Sequence, residues 1–543
     1  MKIIAVIPAR GGSRGIPRKN IRFMAGKPLV SYAISCALGS NYDIDVVVSS
    51  DDDEIKAVAR RYGAQTIDRP DYLSGDSVTL DPVVCHAVCT MEKIKGIHYD
   101  VVITMQPTSP LLSVATLDKA VAFFENEELD TVISGVNDPR LSWHEENGLC
   151  VPNYRERLNR QYMPKDLKET GAFVITKREF VKETGRFGEK ISVFELPEKE
   201  AGDIDTPQDW WIAETELNKK NILIRLDGYS KIGMGHIYRG LQLASGLIEH
   251  NVRFVISEKS DIGIKKIEES HYPYDVITEN DDIFSLIDKY FVDIVINDIL
   301  NTEAEFIEKL KAKGVRVINF EDEGSGAEVA DAVVNALYEK KSLDSRKHYG
   351  SDFYLIRDEF AIQPIREFSE WAQEVIVLFG GTDPCNLTEK TVRALMPLAD
   401  ELKLHVTIIL GLGYEHGETV KALAGNNGRF EVLENVKVMS AYMSKADLAI
   451  SSQGRTMLEL AAMGVPTIIM SENAREATHE FGSIKNGYLN LGAGANVSEK
   501  TIYETVNWLI QCSQIRKNMR EQMLEKDLLH GFKRVKGIIL GEE

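Results

Sequence analysis

The chain has 543 residues, 43% of them hydrophobic and 27% charged, with a net charge of −19 at pH 7. The length is too great for one hydrophobic core and predicts about three to four domains of an ordinary globular protein. The acidic balance argues against general binding to nucleic acids or anionic membranes, and the longest apolar runs are strand-sized rather than membrane-spanning.

The first residues and the cysteines both bear on the cellular compartment. MKIIAVIP enters a strand at once, without a signal-peptide pattern, and the six cysteines are scattered along the chain. Scattered cysteines favour reduced core thiols over a disulfide framework or a zinc site. We therefore expect a cytoplasmic protein.

The first expected strand ends in a loop that is rich in glycine and in cations. Residues 5–20 read AVIPARGGSRGIPRKN, in which the apolar run stops at Pro8. Glycines let the backbone approach an anion with its N–H groups pointing inward, and cations neutralise the charge. The spacing matches neither a Walker loop nor the dinucleotide-binding fingerprint. The pattern predicts a phosphate site, with a basic surface turn as the alternative.

Short β-branched runs alternate with amphipathic helical stretches along the whole chain, which is typical of an α/β fold with mostly parallel sheets. The alternation breaks near residues 218–221, after a helix expected from Thr206 to Leu217, and again at about 363–373. After each break a strand leads into a glycine loop, first KIGMGH and then FGGTDPCN. We expect three Rossmann-like units, over 1–218, 219–365 and 366–543.

Between residues 1 and 215 the motifs resemble, in order, those of CMP-sialic acid synthetases, the cytidylyltransferases that activate nine-carbon 2-keto acids. The resemblance is carried by IPARGGSRGIPRKN, SSDDDEIKAVARRYGAQTIDRP, QPTSPL, LNRQYMPKDLKETGAF and GDIDTPQDW. It implies a Rossmann-like nucleotidyltransferase of the GT-A type. In the implied reaction, the 2-hydroxyl of a nonulosonic acid attacks the α-phosphorus of CTP and pyrophosphate leaves.

The charges of these substrates account for the cations of the first loop. Arg10, Lys19 and the backbone N–H groups of Gly11 and Gly12 are expected to hold the triphosphate and to stabilise charge on the departing pyrophosphate. The resemblance adds nucleotide contacts at Ser13, Asn20 and Arg69 and sugar-acid contacts at Gln106 and Arg160. Two alternatives are structural: Gln106 could satisfy a backbone group at a strand end, and Arg69 could be a surface turn residue.

Two carboxylates of the GDID segment, Asp203 and Asp205, suit Mg²⁺, which keeps several waters and takes phosphate oxygens as further ligands. The alternative is a helix cap, because Asp205 immediately precedes Thr206 and Pro207. The resemblance favours the metal role.

Two departures from the family pattern lie where the sugar would bind. Thr170-Gly171-Ala172 stands where the family often has Asn-Gly-Ala, and DPRLSWHEENG does not match the lysine-bearing segment of sialate enzymes. These differences favour a nonulosonic acid other than N-acetylneuraminic acid. Because family members dimerise through an excursion in this region, the resemblance also implies a homodimer through about residues 139–170.

From about residue 221 to 535 the motifs resemble the UDP-sugar hydrolases of pseudaminic acid synthesis, relatives of the GT-B glycosyltransferases. The resemblance is carried by RLDGYSKIGMGHIYRGLQLA, FGGTDPCNLT and SSQGRTMLELAAMGVP. It implies a GT-B pair of Rossmann-like units with the nucleotide sugar between them. The implied contacts to UDP are at Gly380, Gly381, Gly454 and Glu459.

His236 and Glu459 have the chemistry that such a hydrolase needs. A neutral imidazole at the start of a helix can take a proton from the water that attacks the anomeric carbon, and a carboxylate can accept both ribose hydroxyls. The alternatives are that His236 helps to bind phosphate and that Glu459 is a solvated helix residue. No metal is needed for this cleavage. The hydrolases usually carry Asp-x-Tyr after the strand that reads DIVINDIL here, and an Asp-Asp pair where this chain has NFEDEGSG. Because this chain departs from both patterns, Asp298, Glu321 and Asp322 have no assigned roles.

Together the resemblances predict a bifunctional enzyme that uses CTP, a nonulosonic acid and a UDP-linked amino sugar. The synthase that would condense the freed sugar with phosphoenolpyruvate is absent from the sequence, so it is expected to be a separate protein and a possible partner. Two alternatives remain for the second half: transfer of the sugar to an acceptor, or binding of a nucleotide sugar without catalysis.

Overall fold

The computed structural model describes residues 1–12, 15–75, 77–229, 234–411, 413–425 and 427–542. These residues form two compact units, Met1–Lys219 and Lys220–Glu543. None of the helices in the described ranges combines the length and the apolar character that crossing a membrane requires.

The first unit is built around one large sheet. Its strands are β1 (Ile3–Pro8), β2 (Phe23–Met24), β3 (Lys27–Pro28), β4 (Ile44–Ser50), β5 (Gln65–Asp68), β6 (Val101–Thr104), β7 (Thr131–Asn137), β8 (Trp143–Glu146), β9 (Leu149–Pro152), β10 (Leu167–Lys177) and β11 (Ile191–Glu195). The large sheet has the order β11-β7-β10-β6-β1-β4-β5, and β10 runs antiparallel to β6 and β7. The remaining pairs of this sheet are parallel, while β2 with β3 and β8 with β9 form small antiparallel hairpins.

Helices cover both faces of this sheet. They are α1 (Leu29–Leu38), α2 (Asp53–Arg61), α3 (Leu80–Lys95), α4 (Val114–Asn126) and α5 (Pro207–Leu217). Ile3, Ala5 and Ile7 of β1 pack with α1 and α4, while Ile4 and Val6 pack with α3. Burial on both faces explains why β1 is apolar without alternation. Each buried isoleucine or valine of β1 contributes about 1.5–3 kcal/mol.

The second unit contains two further sheets, each parallel throughout. The strands of the first are β12 (Asn221–Leu226), β13 (Asn251–Ser257), β14 (Tyr274–Ile277), β15 (Ile294–Asp298), β16 (Arg316–Phe320), β17 (Ala332–Asn335) and β18 (Lys347–Tyr349), in the order β14-β13-β12-β15-β16-β17-β18. The helices in this part of the chain are α6 (Gly235–Gly246), α7 (Asp261–Glu269), α8 (Ile283–Tyr290), α9 (Ala304–Ala312) and α10 (Asp358–Ile362).

The strands of the other sheet are β19 (Glu374–Leu378), β20 (His405–Leu410), β21 (Phe430–Glu434), β22 (Leu448–Ser452), β23 (Thr467–Ser471) and β24 (Tyr488–Ala493), in the order β21-β20-β19-β22-β23-β24. The helices in this part of the chain are α11 (Leu387–Glu401), α12 (Gly417–Ala424), α13 (Ser440–Met443), α14 (Thr456–Ala462), α15 (Glu499–Gln511), α16 (Ser513–Leu524) and α17 (Gly531–Leu540). The expected α/β class, with one Rossmann-like sheet followed by a pair, is confirmed.

The boundary expected after residue 365 does not separate the cores of the two halves of this unit. Val535, Ile538 and Ile539 of α17 pack into the core of the β12–β18 sheet. Their helical spacing gives α17 one apolar face, and that face covers the sheet of the earlier half. In the other direction, Ala336 and Tyr354 pack into the core of the β19–β24 sheet. The two halves therefore exchange chain segments.

Candidate active sites

A cavity of about 370 Å³ lies at the carboxyl edge of the first sheet. Its walls come from the loop after β1, the turns after β5 and β6 and the segment before α5. Parallel strands present their carboxyl ends at one edge, which is where ligands bind in such folds. The sequence-predicted residues that line the cavity are Arg10, Gly12, Lys19, Asn20, Arg69, Gln106 and Asp205. Thr108, which the sequence analysis did not single out within QPTSPL, also lines it.

The loop after β1 is held by contacts within the protein. Asn20 is buried, and its Nδ2 donates to the Arg10 carbonyl oxygen at 2.9 Å. Gly11 donates its N–H to a carboxylate that follows β4, so this N–H is used inside the protein. Gly15 passes so close to the acidic segment that a Cβ there would lie 2.4 Å from the Asp205 carbonyl oxygen, which only glycine tolerates. Asn20 therefore braces the loop, and its contact with the nucleotide stays a prediction.

Arg69 is a buried wall of the cavity, so the alternative of a surface turn residue is wrong. The side chain donates from Nη2 to the Ser49 carbonyl oxygen at 2.7 Å. Burial lowers the pKa of its guanidinium, the Asp51 carboxylate raises it, and the neighbouring Arg10 lowers it. An arginine stays protonated despite such shifts. The cavity therefore carries the positive charge that a polyphosphate requires.

Lys19 links the loop after β1 to the acidic segment before α5. Its ammonium donates to the Ile204 carbonyl oxygen at 2.6 Å and lies 3.6 Å from the Asp205 carboxylate. The Lys19 side chain is largely buried, whereas the Asp205 carboxylate is exposed. The cavity edge thus combines a cation suited to phosphate with a carboxylate suited to a metal ion.

A bulge in β10 brings Gln106 and Asp203 together. The register between β10 and β7 shifts between Glu169 and Val174, and Gly171 lies in that interval. A Cβ on Gly171 would be 3.1 Å from Nε2 of Gln106 and 3.3 Å from Oδ1 of Asp203. The glycine of the Thr170-Gly171-Ala172 departure therefore makes room for two predicted site residues.

The helix cap that was the alternative role for Asp203 and Asp205 is formed by other residues. Thr206 is the N-cap of α5 and shares a capping box with Asp209.

The Asp203 carboxyl is partly buried, and this burial raises its pKa. The nearby Asp205 carboxylate raises the pKa of Asp203 further, while the charge of Lys19 lowers it. Two carboxylates that repel each other beside a phosphate cavity fit Mg²⁺. Within the described ranges no group of three or more His, Cys, Asp or Glu side chains could hold a metal ion.

Arg160 lies outside the described lining of the cavity. Its guanidinium donates to the Glu198 carboxylate at 3.0 Å and lies 3.7 Å from that of Asp138, in an exposed segment between β9 and β10. The structure therefore does not bring Arg160 to the other predicted residues of this site. Ser13 lies outside the described residues.

In the second unit, a buried pair of side chains connects α6 with the end of β15. His236 lies in the first turn of α6, and its Nδ1 is 2.5 Å from Oδ1 of Asp298, the last residue of β15. An ionised carboxylate can only accept, so Nδ1 carries a proton, and in the neutral imidazole Nε2 then keeps its lone pair. The tautomer that a general base needs is therefore set by Asp298, which had no assigned role from the sequence.

Arg239, one turn further along α6, keeps Asp298 ionised. Its Nε donates to Oδ2 of Asp298 at 2.6 Å, and its Nη1 donates to the Glu321 carboxylate at 3.0 Å. Burial raises the pKa of Asp298, but the charge of Arg239 and the hydrogen bonds from His236 and Arg239 outweigh burial and hold this pKa well below its usual range. Asp322 has a different role, because its carboxylate accepts the N–H and hydroxyl of Thr302.

Glu459 is largely buried in α14, so the alternative of a solvated helix residue is wrong. Its Oε1 accepts from Nε of Arg357 at 2.9 Å. Burial raises the pKa of Glu459, and the charges of Arg357 and Arg455 oppose this rise. The contact with ribose stays a prediction.

The glycine loops of the last sheet meet at its carboxyl edge. Gly380 and Gly381 follow β19, Gly454 follows β22, and these two strands are neighbours. The Ser452 hydroxyl lies between the loops, 4.0 Å from a Cβ built on Gly380 and 3.4 Å from one built on Gly454. Gly380 has a φ of 72°, a conformation that favours glycine.

A larger cavity, of about 460 Å³, opens at the amino ends of β12 and β13. His250, Tyr272 and Tyr290 are among its walls, and it contains none of the sequence-predicted site residues. Ligands of parallel sheets bind at the opposite, carboxyl edge, so we place the chemistry there.

The two parts of the chain match different families. The cytidylyltransferase family model matches residues 4–180, and the model of the glycosyltransferase family 28 C-terminal domain matches residues 375–486. The pseudaminic acid cytidylyltransferase of Campylobacter jejuni serotype O:2 is 36% identical over 219 residues, which are 38% of this chain and 93% of that protein. The chain belongs to the cytidylyltransferase family. The resemblance expected for residues 1–215 is thereby confirmed.

One relative of this cytidylyltransferase family member spans both units. It is the Helicobacter pylori protein named pseudaminic acid cytidylyltransferase and UDP-2,4-diacetamido-2,4,6-trideoxy-beta-L-altropyranose hydrolase, 26% identical over 557 residues and covering 98% of each chain. Among solved structures, MurG of Acinetobacter baumannii matches 59% of this chain and 99% of its own with a TM-score of 0.46 and 16% identity. The expected resemblance of the second half to a UDP-sugar hydrolase is confirmed by the Helicobacter pylori relative.

Proposed function

We propose that the chain is a bifunctional enzyme of nonulosonic acid synthesis. The first unit transfers CMP from CTP to a nonulosonic acid and releases pyrophosphate, and the second unit hydrolyses a UDP-linked amino sugar and releases UDP. The observation that carries the proposal is the presence of two separate sets of reactive groups, one in each unit: the cationic cavity beside Asp203 and Asp205, and the pair of His236 and Asp298. The relative from Helicobacter pylori carries both activities in its name.

In the first unit, cations bind and orient the triphosphate. Arg10, Lys19 and Arg69 surround the cavity and offset the charge that grows on the departing pyrophosphate. Gln106, which lies beside the β10 bulge, would orient the sugar acid. Mg²⁺ held by Asp203 and Asp205 would supply further positive charge to the phosphates.

In the second unit, Nε2 of His236 accepts a proton from water. The water oxygen bonds to the anomeric carbon, the bond from that carbon to the β-phosphate oxygen breaks, and UDP leaves with that oxygen. Asp298 keeps the proton on Nδ1 and stabilises the imidazolium that forms. Asp298 is thus a positioning residue for His236.

The proposal includes a homodimer formed through residues 139–170. The β8–β9 hairpin exposes Trp143 and Leu149, and Tyr162 is exposed just beyond it. The register of the hairpin puts Trp143 and Leu149 on opposite faces, so a partner subunit that packs around the hairpin would cover both. We further propose a cytoplasmic enzyme supplied with nonulosonic acid by a separate synthase.

Two assays on the purified full chain test this proposal. Pyrophosphate release is measured with CTP, Mg²⁺ and a panel of nonulosonic acids, and UDP release is measured with UDP-2,4-diacetamido-2,4,6-trideoxy-β-L-altropyranose in the absence of any acceptor. We expect both products. UDP release that requires an added acceptor would establish transfer instead of hydrolysis, and UDP-sugar binding without release would establish the non-catalytic alternative.

A further inference from the structure

The proposed hydrolysis creates a charge that His236 cannot stabilise. When the bond at the anomeric carbon breaks, its electron pair stays on the β-phosphate oxygen of UDP. Groups placed where charge develops in the transition state supply much of an enzyme's rate enhancement. The following inference rests on the proposed function and concerns the group that meets this oxygen.

Three arginines around the second site are already held by protein groups. Arg239 is buried between two carboxylates. Arg357 binds the carboxylates of two glutamates. Arg475 donates to a backbone carbonyl oxygen and to an amide oxygen. Each of these side chains would have to give up an existing contact to bind a phosphate.

Arg455 is different. It directly follows Gly454 of the glycine loop, and in the described part of the chain no carboxylate lies within ion-pair distance of its guanidinium. Its guanidinium lies over the ring of the buried Tyr354, 5.3 Å from the centroid. The Tyr354 hydroxyl also donates to the Arg455 carbonyl oxygen at 3.3 Å. The backbone and the side chain of Arg455 are therefore both positioned by one aromatic residue.

The Arg455 side chain reaches the helix that carries the proposed base. A Cβ built on Gly235 would lie 3.3 Å from Cδ of Arg455 and 3.9 Å from its Nε. Gly235 is the residue before His236, and a side chain there would crowd the arginine. On the other side, the Arg455 charge acts on the carboxyl of Glu459, the predicted ribose ligand. Arg455 thus lies between the base and the nucleotide contacts.

We propose that Arg455 is a catalytic residue of the second site, whose guanidinium binds the diphosphate of the departing UDP and stabilises the charge on the β-phosphate oxygen. A guanidinium offers parallel N–H donors that match two phosphate oxygens. In the balanced step, the proton of water goes to Nε2 of His236 and the electron pair of the broken bond goes to an oxygen held by Arg455.

The test compares Arg455→Ala and Arg455→Lys with the unaltered chain, measuring kcat and KM for UDP release and the Kd of UDP by calorimetry. We expect Arg455→Ala to lower kcat by about 100- to 1000-fold, as loss of a donor to a developing anion does. We expect partial activity in Arg455→Lys, partial rescue of Arg455→Ala by millimolar guanidinium, and weaker UDP binding in Arg455→Ala. Arg393→Ala, which removes an exposed arginine of α11, is the matched control and keeps all values unchanged.

An unchanged kcat in Arg455→Ala overturns the proposal. So does a loss of kcat that neither lysine nor guanidinium restores and that is accompanied by a lower unfolding temperature, because that result identifies a structural role at the start of α14. If the unaltered chain releases no UDP, the proposed hydrolysis is wrong, but the role of Arg455 in binding UDP can still be tested by the Kd of UDP. An equal Kd in the Arg455→Ala variant and the unaltered chain overturns that role.

Discussion

His236 and Asp298 form the contact on which the second reaction depends. The sequence predicted His236 from its place after a glycine loop, but it could not predict its partner. Asp298 is 62 residues away and ends a different strand, and only the parallel pairing of β12 with β15 brings that strand beside the one that leads to α6. Contacts between residues that are far apart in the chain leave no local signal in a single sequence, which is also why Arg357 was not connected with Glu459.

Glu472 illustrates how burial changes a carboxyl group near the glycine loops. It follows β23, and its Oε1 is buried without a hydrogen-bond partner among the described residues. Burial, followed by the charges of Glu476 and Asp383, raises the pKa of Glu472 to about 9. The carboxyl group is therefore neutral at pH 7 in the folded protein and ionised in the unfolded chain.

This difference predicts a pH dependence of stability. Between the ordinary pKa of a glutamate and pH 9, the folded chain holds a proton that the unfolded chain lacks, so the free energy of unfolding falls as pH rises, by at most about 1.4 kcal/mol per pH unit. Glu472→Gln removes the titrating group. Its free energy of unfolding relative to the unaltered chain should therefore rise between pH 5 and pH 9, measured by urea unfolding of the second unit.

Glu480→Gln is the control for this measurement, because Glu480 is an exposed glutamate of the same segment. It should follow the unaltered chain at every pH. If Glu472→Gln does so too, the carboxyl of Glu472 titrates alike in the folded and unfolded states, and its assignment as a neutral group is wrong.

At the scale of elements, strand ends and loops decide the first site. The sequence placed a strand before the glycine loop and a helix over residues 206–217, and the structure has β1 and α5 at those positions. It could not predict the bulge of β10, because a bulge depends on how two strands pair. The residues of this segment alone also could not show whether Asp205 caps the helix or binds a metal ion, because both roles use a carboxylate just before a helix.

The capping box separates these two roles experimentally. Thr206→Ala removes the side chain that accepts the Asp209 N–H, so we expect it to lower the free energy of unfolding by about 1 kcal/mol and to leave Mg²⁺-dependent pyrophosphate release intact. Asp205→Ala removes an exposed carboxylate whose ion pair with Lys19 contributes little stability. We expect it to leave unfolding nearly unchanged and to abolish pyrophosphate release. Urea unfolding and a pyrophosphate assay over a range of Mg²⁺ concentrations measure both effects.

The opposite pattern would contradict the metal assignment. If Asp205→Ala destabilised the chain as much as Thr206→Ala does and kept full activity, Asp205 would be a cap residue and Mg²⁺ would have to be held elsewhere.

At the scale of the molecule, the chain carries two separate chemistries. Each unit has its own cores and its own carboxyl-edge site. The alternation of strands and helices was sufficient to predict three sheets, because parallel strands buried on both faces are apolar throughout. It was not sufficient to predict that α17 packs on the sheet of the earlier half, since an apolar helix face does not identify the sheet that it covers.

The most direct measurement is a pair of variants assayed for both reactions in the full chain. His236→Ala removes the proposed base, so it should lower kcat for UDP release by about 100-fold or more while pyrophosphate release from CTP stays within twofold of the unaltered chain. Asp205→Ala should abolish pyrophosphate release and leave UDP release unchanged. Full UDP release by His236→Ala, or a parallel loss of both reactions in either variant, would contradict two independent active sites in one chain.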